Sequence, residues 1–163
     1  MEPRVEHLGE QPSAGITRHV TLTTMGLLNE RVPVLYGWLG ERGIAPAGPL
    51  FYRYHEIADD GTMRVEAGVP VPAPVEGDGE VAPGVLPAGP YATAGHRGHP
   101  DTLFETEAAL LSWTPPPGLA WSMTRANGTE HWTARLERFL TNPEDQPDPG
   151  EWEMEFAVLL TRS

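Results

Sequence analysis

Two stretches decide the fold: Trp38-Leu39-Gly40-Glu41-Arg42-Gly43-Ile44-Ala45 and Trp113-Thr114-Pro115-Pro116-Pro117-Gly118-Leu119-Ala120. In both, a tryptophan is followed at the same spacing by a glycine, an aliphatic residue and an alanine. Each closes a helical pattern and leads towards strand-like sequence. Before the first, Leu28, Val32, Leu35, Trp38 and Leu39 fall at helical spacing, with Asn29 as a candidate cap, Pro33 acceptable in the first turn and Gly43 as the stop. Before the second, Asp101 reads as a cap after Pro100, the apolar stripe is Leu103, Phe104, Ala108, Leu110 and Leu111, and Pro115 to Pro117 end the helix.

Strands flank both helices. Arg4 to Leu8 and Ile16 to Leu22 alternate, with a turn expected at Pro12-Ser13-Ala14-Gly15. Leu50 to Ile57, the turn Asp59-Asp60-Gly61, and then Met63, Val65, Ala67, Val69 and Val71 on one face predict a hairpin. Pro70 to Pro90 reads as a long loop with a short strand, and Tyr91 to Ala94 as another strand. Arg135 to Leu140 and Trp152 to Leu160 complete the set, the last with Glu151, Glu153 and Glu155 on a face expected to be solvated. The order is β-α-β-β, a loop, then β-α-β-β. It predicts an α+β fold of duplicated halves with an antiparallel sheet and two helices.

Composition narrows the function. The 163 residues suggest one domain spanning 1–163, with no space for a helix-turn-helix. Lys and Arg number 11 against 23 Asp and Glu, a formal charge of −12, which argues against binding nucleic acid or an anionic membrane surface. Gly and Pro, 18 of each, favour short elements joined by turns. The absence of Cys removes disulfides, thiol nucleophiles and thiolate metal sites. No signal peptide and no membrane span is visible, so a cytoplasmic protein is expected. His96 and His99 lack an acidic third ligand, Ser13, Ser112 and Ser122 lack a nucleophile elbow, and Gly77-Asp78-Gly79 is followed by no Lys-Ser/Thr. Neither metal nor cofactor is expected.

Several motifs, in order and spanning Arg4 to Leu160, resemble the GyrI-like small-molecule-binding family, which is similar to the effector-binding domains of AraC-type and MerR-type multidrug regulators. They are Gly43-Ile44-Ala45-Pro46-Ala47-Gly48-Pro49 leading to Tyr54, Val65-Glu66-Ala67-Gly68-Val69-Pro70-Val71, Leu86-Pro87-Ala88-Gly89-Pro90-Tyr91, and Arg135-Leu136-Glu137-Arg138-Phe139 with Trp152-Glu153-Met154-Glu155. The resemblance implies two halves related by pseudo-twofold symmetry and a ligand groove between the helices. It places an acidic residue at the position of Glu137 on the floor of an aromatic pocket, facing lipophilic cations. Many relatives carry Tyr where this chain has Phe139.

Candidate ligand-binding residues are therefore Glu137, Tyr54, Trp38, Trp113, Tyr91, Phe139, Tyr52 and Trp132. Alternation puts Arg135, Glu137 and Phe139 on one strand face and Leu136, Arg138 and Leu140 on the other, without saying which is buried. A carboxylate among rings needs a compensating cation, and burial should raise its pKa. Without such a pocket, Glu137 would be a solvated residue paired with Arg135 or Arg138. Three functions compete: a binding protein for small lipophilic, cationic compounds, with multidrug sensing or sequestration as its role; a hydrolase of cyclopropane-bearing toxins using Glu137 as its catalytic residue; and a gyrase-inhibitor-like interaction protein.

Overall fold

A computed structural model describes residues 2–99, 102–142 and 144–163. The strands are β1 (Arg4–Leu8), β2 (Gln11–Val20), β3 (Phe51–Ala58), β4 (Met63–Pro70), β5 (Ala82–Leu86), β6 (Gly89–Arg97), β7 (Leu119–Trp121), β8 (Met123–Ala126), β9 (Thr129–Trp132), β10 (Arg135–Phe139) and β11 (Glu153–Arg162). The helices are α1 (Gly26–Asn29), α2 (Val32–Glu41) and α3 (Leu103–Ser112). The main path of the antiparallel sheet runs β1-β6-β11-β10-β3-β4-β2-β5. The fold is α+β, as the order of sequence signals predicts.

Connectivity forces this sheet to curl. Strands lie about 4.8 Å apart, so in a flat sheet β1 and β2 would be separated by roughly 29 Å. Only Gly9 and Glu10 join them, and the three Cα steps from Leu8 to Gln11 reach no more than about 11 Å. Pro87 and Ala88 impose the same limit between β5 and β6, again near opposite ends of the strand order. The edges therefore meet at that end. Leu8 and Leu86 from the edge strands pack against Phe51, Tyr91, Leu136, Ala157 and Leu159 on the inward face.

The other face carries the helices. Leu35 and Leu39 of α2 pack on Ala14, Ile16, Val69 and Val71, while Leu110 of α3 packs on Ala92, Ala94, Phe156 and Val158. Both faces of the middle strands are thus covered, which is why β11 reads as apolar on both sides from Phe156 to Leu160.

Several local expectations are corrected. β2 runs straight through Pro12 to Gly15 because Ser13 to Val20 pair with β4 and Gln11 to Gly15 pair with β5. Leu22 lies beyond the strand and is exposed. The first helix is split: α1 ends at Asn29, and Pro33 opens α2 in its first turn. Asn29 does not cap a helix; its side-chain oxygen accepts a hydrogen bond from the Tyr52 hydroxyl at 2.5 Å. The cap expected at Asp101 lies outside the described residues. On α3 only Leu110 is fully buried, whereas Phe104 and Ala108 are exposed. Glu155 is not on a solvated face, since it pairs with Arg138 at 2.9 Å on the inward side. The β8–β9 hairpin was unforeseen, although Asn127-Gly128, both at positive φ (54° and 75°), is a strong two-residue turn signal.

Close approach fixes one glycine. Gly68 of β4 lies opposite Phe51 of β3, and a Cβ there would sit 2.3 Å from the buried Phe51 ring. Gly68→Ala should therefore cost about 1–3 kcal/mol and lower the melting temperature by several degrees. Calorimetry checks this, and an unchanged melting temperature would show that the ring moves freely.

Candidate functional site

β10 and β3 lie side by side in the middle of the sheet, with Glu137 opposite Tyr52 and Leu136 opposite Arg53. Because strand residues alternate, Arg135, Glu137 and Phe139 share the helix-bearing face with Tyr52 and Tyr54. Just past Tyr54 an extra residue at His55 bulges β3 as it leaves β10 and takes β9 as partner. Bulges of this kind re-aim neighbouring side chains.

Glu137 lines an open recess of about 490 Å³ with Tyr54, Ile57, Met63 and Arg135 from the sheet, Leu103, Phe104 and Glu107 from α3, and Thr21 to Thr23 from the β2–α1 turn. This volume suits a drug-sized ligand. The recess is mostly apolar, and Leu22 and Phe104 stand exposed within it. A second recess, of about 720 Å³, lies beside it against α2 and contains Val32, Tyr36, Leu50, Phe139 and Leu140.

Charge in the first recess is unevenly matched. Arg135 forms an ion pair with Glu107 and stacks its guanidinium 4.7 Å from the Trp132 ring centroid and 5.9 Å from that of Tyr54. It is therefore not the hydrogen-bonded partner of Glu137. The partner of Glu137 is the Tyr54 hydroxyl, which donates to the carboxylate. Burial pushes the Glu137 carboxyl up to about 7, with the negative charge of Glu107 adding to the rise; the Tyr54 hydrogen bond and Arg135 oppose it. Burial, followed by the nearby Glu137 charge, raises the Tyr54 phenol strongly. The same two causes bring Tyr52 to about 12.

The expected residues do not all converge. Glu137 and Tyr54 meet in one recess; Phe139 lines the neighbouring one and stacks edge-on against Tyr52 at 5.0 Å. Tyr52 is buried beneath, with its hydroxyl bound to Asn29. Trp132 touches the site through Arg135 and donates its indole N–H to Glu130 at 3.0 Å. Trp38 and Trp113 do not face each other across a groove. Trp38 packs in the α2 core under Arg42, and Trp113 stacks against Trp121 in the α3 core. Tyr91 is on the inward face, separated from Glu137 by the sheet, and donates to the Pro87 carbonyl at 2.7 Å. His96, near α3, is engaged by the Thr102 and Thr106 hydroxyls.

Sequence reading missed Glu107, Arg135, Leu22 and Phe104. The signal for Glu107 was present: it lies three and four residues after Phe104 and Leu103, hence on their side of the helix.

With this geometry, the sequence matches the GyrI-like small molecule binding domain over residues 1–160. The chain belongs to the GyrI-like family. It is a small-molecule-binding domain by that membership, and its fold recurs in solved structures. The C-terminal domain of EcmrR superposes with a TM-score of 0.80 at 17% identity, covering 99% of this chain and 98% of that one. Against the EcmrR chain in its DNA complex, the TM-score is 0.79 at 17% identity, and this chain spans 58% of that chain's length. A hydrolase from Listeria innocua gives 0.67 at 12% identity, with 98% and 92% covered. SAV2435 bound to tetraphenylphosphonium gives 0.57 at 11%, with 99% and 94% covered. At such identities the likeness is one of fold. A search of curated protein sequences returns no match. Among the described residues, no helix is long and apolar enough to cross a membrane.

The Glu137 titration carries a stability consequence. Its carboxyl titrates near 7 in the folded chain and near 4.5 when unfolded, so the native state binds the extra proton between these values. Stability is full below about pH 4.5 and falls as pH rises through 7, by an amount on the order of 3 kcal/mol. Glu137→Gln should therefore raise the melting temperature at pH 8 and change it little at pH 4.5. Thermal unfolding across that range checks the sign.

Proposed function

We propose that this domain binds a small, lipophilic, cationic molecule, with the ligand's charge against Glu137 and its apolar body among Leu22, Met63, Tyr54, Leu103 and Phe104. One observation carries this reading: among the described residues no cation pairs with the half-buried Glu137 carboxylate beside the Tyr54 phenol, while the guanidinium of Arg135 is committed to Glu107. A ligand cation compensates that charge better than the reduced hydration of a half-buried recess, and the Tyr54 face adds a cation–π contact. Sensing or sequestration of such compounds is the corresponding biological role. The tetraphenylphosphonium on SAV2435, a protein of the same fold, supports the ligand class.

The test uses tetraphenylphosphonium, with triphenylphosphine oxide as a neutral comparison, followed by calorimetry. The cation should bind more tightly, and Glu137→Gln should weaken it at least about tenfold. A cation favours the ionised carboxylate, so its affinity should rise roughly tenfold between pH 6 and pH 8, following the ionised fraction of a group near 7. Equal affinity for both compounds, or a flat pH profile, would remove Glu137 from the binding role.

A second reading has its own support. A carboxyl titrating near 7 beside a tyrosine hydroxyl has the properties of a general base, and one structure sharing the fold is a hydrolase. Glu137 would take a proton from water as the water oxygen attacks a strained cyclopropane carbon and the ring C–C bond breaks, its electron pair passing to an electron-withdrawing group conjugated with the ring, to which Glu137 then returns the proton. Incubation with such an electrophile should then yield the hydrated product with the wild type and none with Glu137→Gln. Lack of product with the wild type leaves binding alone.

A further inference from the structure

The inward face of the curled sheet lines a half-open pocket that the Glu137 site does not use. Its volume is about 240 Å³, and it lies where the edges of the sheet meet. Leu8 and Leu86 come from the two edge strands, Phe51 and Leu136 from the middle strands, and Tyr91 from β6. A cavity of roughly 150 Å³ accepts benzene, so this one holds a ring or a branched aliphatic chain together with a small polar head.

The polar groups here indicate the charge of that head. The Tyr91 hydroxyl and the Gln11 amide nitrogen are already bound to backbone carbonyls, of Pro87 and of Pro12 and Val71. Arg138 lines the cavity and makes one hydrogen bond, from Nη1 to Glu155 at 2.9 Å. The other donors of its planar guanidinium have no partner among the described residues, and a free guanidinium edge matches a carboxylate. A second cation stands on the same face. Arg53, beside Leu136, gives its Nη atoms to the Val85 and Thr133 carbonyls and forms no ion pair among the described residues, while its buried Nε has no partner. Glu155 across from Arg138 and Glu66 across from Arg53 share this face, so the open edge of the Arg138 guanidinium is the group left to meet an anion.

We propose that this cavity is a second ligand site, taking a small carboxylate with an apolar aromatic or branched body, its carboxylate against Arg138 and its body against Phe51, Leu136 and Leu8. The two sites lie back to back on β10, since Leu136 and Arg138 face one way and Glu137 the other. The ligand charges are opposite, so neither site substitutes for the other.

Benzoate is the probe, with benzyl alcohol as its neutral counterpart, and binding is followed by protein NMR on the full chain. Benzoate should saturate one site with a dissociation constant of about 0.1–1 mM, as expected for a ligand of its size. Its ring protons should show nuclear Overhauser effects to the side chains of Leu8, Phe51 and Leu136. Benzyl alcohol and the Arg138→Gln variant should each bind at least about tenfold more weakly. Glu137→Gln should bind benzoate as the wild type does, which keeps this result separate from the fate of the cation site. Absence of saturation below about 10 mM, contacts to other side chains, or equal binding of alcohol and acid overturns the proposal. If Arg138→Gln fails to fold, the contact pattern and the alcohol comparison on the wild type decide alone.

Discussion

Two short links govern this molecule. Gly9-Glu10 and Pro87-Ala88 each carry the chain between opposite ends of the strand order, and so few residues reach across only if the sheet closes on itself at that end. Everything functional follows from this curl. The face turned inward fills with side chains from strands distant in the order, Leu8 and Leu86 meeting Phe51 and Leu136. The other face is left for the helices, and β3 with β10, farthest from the seam, forms the floor between them. Consecutive residues of β10 therefore look into different surroundings.

The chemistry of the helix-bearing face depends on how three charges are shared. Arg135 bonds to Glu107 and is held over the Trp132 ring, which leaves Glu137 with a phenol for company. Pairing Arg135 directly with Glu137 would satisfy the strand locally but move the unpaired charge to Glu107, on the helix side of the same recess. The fold instead tolerates an unfavourable carboxylate at neutral pH, a state that costs stability and is characteristic of functional sites. Burial, ahead of the Glu107 charge, keeps Glu137 titrating near 7 against the opposing pull of the Tyr54 hydroxyl and Arg135.

How far the sequence disclosed this varies by residue. The β3–β4 hairpin was legible because Asp59-Asp60-Gly61 is flanked by clean alternation, and Gly61 indeed takes a φ of 92°. Glu137 and Tyr54 were legible through motif and alternation. Trp38, Trp113 and Tyr91 were not, because aromatic character does not say which of several cores a ring enters; that choice is made by strands distant in sequence. β2 overrode Pro12 and Gly15 for the same reason, with pairing on both sides outweighing local turn preference. Phe104 was read as core since an apolar residue at helical spacing looks alike whether it meets a sheet or the mouth of a recess. The Asn127-Gly128 turn, by contrast, was visible locally and simply unread.

The place of β1 has a bearing on how the chain is made. Residues 4–8 leave the ribosome before the rest of this domain, yet among the described residues their sheet neighbour is β6, formed by residues 89–97. β3 likewise waits for β10 to complete its pairing. Residues 4–8 thus stay without their strand partner during synthesis until residues 89–97 have been made.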